Sequence, residues 1–241
     1  MIPKTIHYCW FGGNRLSKLA LKCIESWKKF FPDFEIKEWN ESNYDIRKIP
    51  YIAEAYAAKK FAFVSDYARF DVLYRHGGVY FDTDVEVIKS FDDILTNGSF
   101  MGCEIDGGSE EINVAPGLGI AAVPDLELYK DVLCYYSSQH FLNADGSFNT
   151  ETVVKKTTKT LIKHGLKNIK GIQDVAGVTI YPREYFNPLQ DSTGRLDVTE
   201  NTRSIHWYAK SWIDPKSRLR SQLTRPFHRF FGDDCFKLFR R

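Results

Sequence analysis

Two aspartates one residue apart, Asp82 and Asp84, stand in the run "GGVYFDTDVEV" at 77–87, among residues that favour extended structure. In a strand, alternate side chains project to one side, so both carboxylates would aim at one point. Like charges held that close repel unless a cation or a proton lies between them. A hard divalent ion, Mn²⁺ or Mg²⁺, suits such oxygen ligands and commonly binds substrate phosphates as well. A D-x-D triplet alone has low specificity, because exposed loop carboxylates give the same pattern. One element earlier, "FVSDYARFDVLYRHGG" sets Asp66 and Arg69 three residues apart, on one face of a helix. That pair is either an ordinary intrahelical ion pair or, beside a cavity, an acceptor and a donor for the hydroxyl groups of a sugar ring.

The elements that must hold these residues follow from periodicity. Residues 5–11 read as a first strand that turns at Gly12-Gly13. The apolar spacing at 16–31 predicts a helix closed by Pro32, and alternation at 34–39 a half-exposed strand. A helical pattern over 53–75 carries an interruption near Phe63-Val64, and His76-Gly77-Gly78 supplies a C-terminal cation and glycine. Residues 79–87 then read as one central strand. This alternation predicts an α/β layered domain with a mainly parallel sheet, whose ligands bind beyond the carboxyl ends of the strands. Further on, 100–104, 179–181 and 204–208 read as strands and 125–140 and 150–164 as helices. Between them, 106–119 is a glycine-rich loop and 183–202 a loop.

The composition excludes several classes. No window reaches the roughly 18 consecutive apolar residues of a membrane-spanning helix, and the first residues lack the pattern of a secretory signal, so a cytoplasmic protein is expected. Cys9, Cys23, Cys103, Cys134 and Cys235 are scattered and include no C-x-x-C pair, which argues against both a disulfide framework and a zinc site. From Pro215 onward eight Lys/Arg and two Asp give +6, so of the net +2 the preceding part carries 2 − 6 = −4. That balance disfavours nucleic acid as a partner.

Taken together, "SDYARFDVLYRHGGVYFDTDVEV", the initial "IPKTIHYCWFGG" and "HWYAKSW" at 206–212 are similar to the DXD-containing sugar transferases. These include the Och1-type mannosyltransferases and bacterial capsule and lipopolysaccharide transferases; the clostridial glucosylating toxins are more distant relatives. The resemblance implies a GT-A fold over 1–212 and retaining transfer of a hexose-type sugar from a UDP- or GDP-sugar to a hydroxyl acceptor, a carbohydrate or lipid-linked oligosaccharide of a growing surface polysaccharide. It implies that Ile6, His7, Trp10 and Gly12 hold the nucleotide, with Trp10 at the base. Asp66 and Arg69 would grip the donor sugar, while Gly78, Tyr80 and Asp82 reach the donor. Asp84 would ligate the metal directly and Asp82 through water. The catalytic set is therefore Asp66, Arg69, Asp82 and Asp84. His206 matches a histidine that is a candidate metal ligand, although carboxylate and phosphate oxygens suit Mn²⁺ or Mg²⁺ better than imidazole does. Ser211 and Trp212 match the diphosphate-contacting pair, whereas Trp207 and Lys210 depart from the usual residues, so the local loop shape and donor choice are open. The family suggests a front-face route in which the leaving phosphate deprotonates the acceptor; a covalent intermediate on Asp66 is the alternative.

The segment 213–241 mixes cations with large apolar residues, among them Leu219, Leu223, Phe227, Phe230, Phe231, Phe236 and Phe239, as an amphipathic surface at the inner face of an anionic membrane would, each cation contributing about 1 kcal/mol. Packing of its phenylalanines on the domain is the alternative. Two other readings of the whole chain are a haloacid-dehalogenase-like phosphohydrolase, which also uses D-x-D after a strand, and a non-catalytic carbohydrate-binding protein. The first expects Thr or Val where Glu86 stands, and the second leaves the ordered motifs unexplained.

Overall fold

The computed structural model describes residues 1–209; Ser211, Trp212 and the segment 213–241 lie outside the described residues. The chain runs β1 (Thr5–Cys9), α1 (Lys18–Phe30), β2 (Glu35–Trp39), α2 (Pro50–Ala57), α3 (Phe61–His76), β3 (Gly78–Tyr80) and β4 (Val85–Val87). It continues with α4 (Asp92–Thr96), β5 (Ser99–Ile105), β6 (Asn113–Val114), a 3-10 turn (Pro116–Leu118), β7 (Ile120–Ala122), α5 (Glu127–Ser137) and α6 (Val153–Lys163). β8 (Gln173–Val175), β9 (Val178–Tyr181), α7 (Arg183–Phe186) and β10 (Ser204–His206) complete it.

The main sheet has the order β2-β1-β3-β7-β5-β9-β8, with β6 added to β5. The pairs β1–β2, β1–β3 and β5–β9 are parallel, while β7 runs antiparallel to both β3 and β5. Strands β2, β1, β3, β5 and β9 therefore share one direction, which is the mainly parallel α/β sheet expected. Side-chain alternation sends Val79, Phe81, Phe100 and Ala121 into one apolar cluster and Tyr80, Met101, Ile120 and Ala122 into another. Helix α1 covers the first cluster with Trp27, fully buried between Tyr8 and Phe81. Truncating Trp27 would cost about 3–5 kcal/mol. Helices α2, α3, α5 and α6 cover the second.

Three sequence expectations are corrected. Residues 79–87 are two strands, because the chain leaves the main sheet after Tyr80 and its second half pairs antiparallel with β10 in a separate two-stranded sheet. Trp27 holds the new strand by donating from Nε1 to the Val85 carbonyl at 2.8 Å. The helix over 53–75 starts earlier, at Pro50, and breaks at 58–60 rather than near Phe63. There Lys59 adopts φ 57° and the Lys60 amide returns to the Ala55 carbonyl at 2.8 Å, the closing bond of a helix C-terminus. Finally, the region 183–202 holds the short helix α7. Among the described residues the cysteines are free, and no helix is long and apolar enough to cross a membrane.

Candidate active site

Helix α3 ends at Gly77, whose φ of 63° and amide bond to the Leu73 carbonyl turn the chain directly into β3. That junction sets Asp66 and Arg69 on α3 beside the end of β3. Arg69 Nη2 meets Asp66 Oδ1 at 2.9 Å and Asp82 Oδ1 at 3.1 Å, so one guanidinium joins two carboxylates from different elements. The Tyr80 hydroxyl donates to the same Asp82 oxygen at 3.0 Å, and Arg69 lies over the Tyr80 ring. Arg69 is 3% exposed and its Nε has no partner among the described residues, so removing either carboxylate would leave a buried cation poorly compensated.

The second carboxylate has a different environment. Asp84 Oδ1 lies 3.1 Å from His206 Nε2, and Asp84 Oδ2 accepts the Ala209 amide at 2.7 Å. The Asp84 carbonyl accepts the Trp207 amide at 2.9 Å, so the segment after β10 is strapped to the acidic turn. Trp207 also donates from Nε1 to Glu86, which pairs with Lys22 of α1.

Asp82 and Asp84 leave the strand geometry that suggested them, since residues 81–84 form the turn between β3 and β4. Their convergence is made by that turn and by β10: ligand atoms of Asp82, Asp84 and His206 all lie within 4.8 Å of one another. The electrostatics separate the two acids. Burial raises the Asp82 carboxyl above its ordinary range against the pull of Arg69. Burial also pushes Asp84 upward, but the charge and hydrogen bond of His206 and the Ala209 amide outweigh it and hold Asp84 low. Burial opposes protonation of His206, yet Asp84 prevails and raises it. Asp66, also desolvated, is pushed up to about 6 despite Arg69.

The residues expected at the nucleotide are more dispersed in role. Ile6 is fully buried, and both ring nitrogens of His7 are engaged, by the Gly77 carbonyl at 2.9 Å and Trp39 Nε1 at 3.1 Å. Any contact of these two with a ligand falls to their backbone. A side chain at Gly78 would strike the Thr5 carbonyl. Trp10 is partly buried and donates to the Asn14 carbonyl at 2.7 Å, and the Gly12 amide donates to Glu41 at 2.5 Å.

Two contributors escaped the sequence reading. Ala209 acts through its amide, which no side-chain pattern reports. Gly117 lies within the glycine-rich loop already noted, but the signal there was composition, not position. Its α-carbon abuts the Asp82 carboxylate, with Arg69 Nη1 also near.

Residues 17–101 match the family described as glycosyltransferase sugar-binding region containing DXD motif. That stretch carries Asp66, Arg69, Tyr80, Asp82 and Asp84. The match is to a sugar-transferase family and not to the phosphohydrolase or carbohydrate-binding alternatives. An uncharacterised glycosyltransferase of Acanthamoeba polyphaga mimivirus is 31% identical over 110 residues, 42% of each protein, so this chain spans less than half the length of that relative. The solved structure of PaToxG glycosyltransferase superposes with a TM-score of 0.53 at 18% identity, over 67% of this chain and 69% of that one. A glycosyltransferase involved in the glycosylation of the major capsid of PBCV-1 matches 92% of this chain and 100% of its own length, at 14% identity and a TM-score of 0.46. The fold is of the GT-A type.

Proposed function

We propose that this DXD-region protein is a retaining, metal-dependent glycosyltransferase that moves a hexose-type sugar from a UDP- or GDP-sugar to a hydroxyl acceptor. One observation carries the reading: the junction of α3, β3 and β4 brings Asp66, Arg69, Tyr80 and Asp82 into one bonded group whose acidic end, with Asp84 and His206, forms a compact set of oxygen and nitrogen donors.

The donor set fits a divalent cation. Two carboxylates suit Mn²⁺ and Mg²⁺ alike, and an imidazole beside them favours the softer Mn²⁺. Asp84, held ionised, would be the direct ligand; Asp82, restrained by Arg69 and Tyr80, would be the weaker one and would face the donor. A bound ion supplies charge neutralisation for the leaving diphosphate.

The remaining chemistry falls to the chain. Asp66 and Arg69 present an acceptor and a donor for sugar hydroxyls and fix the ring before reaction. As the bond from sugar to diphosphate breaks, the sugar becomes electron-poor, and the nearby carboxylates favour that charge more than they favour the neutral sugar. The leaving phosphate takes the acceptor proton on the same face, which accounts for retention. Asp66 is engaged by Arg69 and is the less suitable nucleophile. A lipid-linked surface polysaccharide is the acceptor we favour, with residues 215–241 at the membrane face.

Incubation with UDP- and GDP-sugars, with and without Mn²⁺, scoring nucleoside diphosphate release, tests the reading. Metal-dependent release with transfer to a saccharide supports it; no release from any donor refutes it. Co-sedimentation with anionic vesicles tests the membrane assignment, which fails if deleting residues 215–241 leaves binding unchanged.

A further inference from the structure

Strands β5 and β9 are parallel neighbours and share the direction of β3, so both end at the sheet edge where β3 delivers the acidic turn. Ligands of an α/β sheet bind beyond such carboxyl ends. Asp66, Arg69 and the acidic turn occupy the β3 end of that edge, and a second polar group stands at the ends of β5 and β9. There the register of β5 slips: Cys103 pairs with Val114 and Ile105 with Asn113, which leaves Glu104 as the extra residue of a β-bulge. Bulges re-aim a side chain and recur beside active sites. Glu104 is half-buried and makes no ion pair among the described residues. Its hydrogen bond is a long one, 3.4 Å from the Tyr208 hydroxyl to Oε1. The same hydroxyl donates to Asn187 Oδ1 at 3.0 Å, and a phenol has one proton to give. The Glu104 carboxylate is thereby left short of donors.

Two loops and the strap after β10 hold this group in place. Asp106 Oδ1 accepts the Arg183 amide at 2.7 Å, which ties the loop after β5 to α7. Arg183 Nε donates to the Asn187 carbonyl at 2.9 Å and fixes Asn187, which is 1% exposed. Tyr208 has φ 52°, a left-handed backbone uncommon for a bulky residue. The amides on either side of it both bind Asp84, which holds that conformation in place. Its ring centroid lies 4.3 Å from that of His206. His206 thus meets Asp84 while its neighbour Tyr208 meets Glu104, so one short segment joins the candidate cation cluster to the end of β5.

We propose that Glu104, backed by Tyr208 and Asn187, is the subsite of the acceptor sugar, its carboxylate accepting a hydrogen bond from an acceptor hydroxyl. This rests on the transferase reading and extends it from the donor to the acceptor. The chemistry also sets the class of sugar. A carboxylate short of donors takes hydroxyl or ammonium groups and repels carboxylates and phosphates. A neutral hexose or an amino sugar fits; a uronic acid or a sugar phosphate does not.

The test compares the full chain with Glu104→Gln and Tyr208→Phe, using UDP-glucose, UDP-galactose or GDP-mannose as donor and methyl hexosides as acceptors. Nucleoside diphosphate released without acceptor measures cleavage of the donor by water, and glycoside product measures transfer. Glu104→Gln should lower kcat/KM for the hexoside at least about tenfold more than it lowers cleavage by water, a split that general damage to the site would not give. Methyl glucuronide should be a poorer acceptor than methyl glucoside for the parent, and the gap should narrow in Glu104→Gln. Unchanged transfer, equal loss of transfer and water cleavage, or a parent that prefers the glucuronide overturns the proposal. Should Glu104→Gln not fold, Tyr208→Phe, which removes the hydroxyl bonded to Glu104, must show the same split. If the parent cleaves no nucleotide sugar, the transferase reading fails by itself. Saturation-transfer NMR of the methyl hexosides then decides the subsite: it stands if the parent's signal is lost in Glu104→Gln and falls if the two chains give the same result.

Discussion

Gly117 lies so close to Asp82 that a methyl group on its α-carbon would overlap the carboxylate, and its carbonyl accepts the Asp82 amide at 3.3 Å. The turn after β6 is therefore a mould for one rotamer of Asp82. Gly117→Ala should displace that carboxylate from Arg69 and Tyr80. We expect turnover to drop at least about tenfold, equivalent to about 1.4 kcal/mol in the barrier, while the melting temperature moves by a few degrees. Steady-state nucleoside diphosphate release and a thermal melt check both halves. Unchanged turnover would mean that Asp82 has room to move.

Asp84 and His206 make the most direct claim on a cation. Asp84→Ala should abolish Mn²⁺ binding, read by electron paramagnetic resonance, and metal-dependent turnover with it, while circular dichroism stays that of the parent. His206→Ala should weaken Mn²⁺ more than Mg²⁺, because imidazole contributes little to a magnesium site. Equal weakening of both ions would remove His206 from the ligand set.

His7 gives a pH dependence of stability with a definite sign. Burial lowers its pKa from 6.5 to about 4, the Gly77 carbonyl opposing only in part. The unfolded chain thus binds this proton first as pH falls, so the stabilisation is complete above about 6.5 and is lost progressively down to about 4. The full loss is roughly 3 kcal/mol. His7→Gln should flatten the slope of urea-unfolding free energy against pH over that interval. A slope equal to that of the parent would assign the dependence to other groups.

Trp10, partly buried at the end of the first strand, should act in binding alone. Trp10→Ala is expected to raise KM for the nucleotide sugar about tenfold and leave kcat unchanged. A loss confined to kcat would place the indole at the reacting centre.

The element order through α3 and the Asp66–Arg69 face were legible because both are local: they depend on spacing within one helix or strand. The acidic pair was legible as chemistry but not as geometry. Apart from its acidic residues the run 79–87 is β-favouring, and the two aspartates alone do not say that the chain changes sheets after Tyr80; the partner that captures Val85–Val87 is β10, far along the sequence. The helix break at 58–60 was hidden for a related reason. Alanine and lysine are strong helix formers, so the left-handed Lys59 is imposed by the packing of α2 against α3. Ser211 and Trp212 lie outside the described residues.

The strap from β10 to the acidic turn also imposes an order of events on a growing chain. The two aspartates leave the ribosome early, but His206, Trp207 and Ala209 arrive more than a hundred residues later and reach them only when β10 pairs with β4. A nascent chain halted before that point carries the acid without its clasp. The carboxylate–imidazole cluster is therefore complete only after synthesis has passed residue 209.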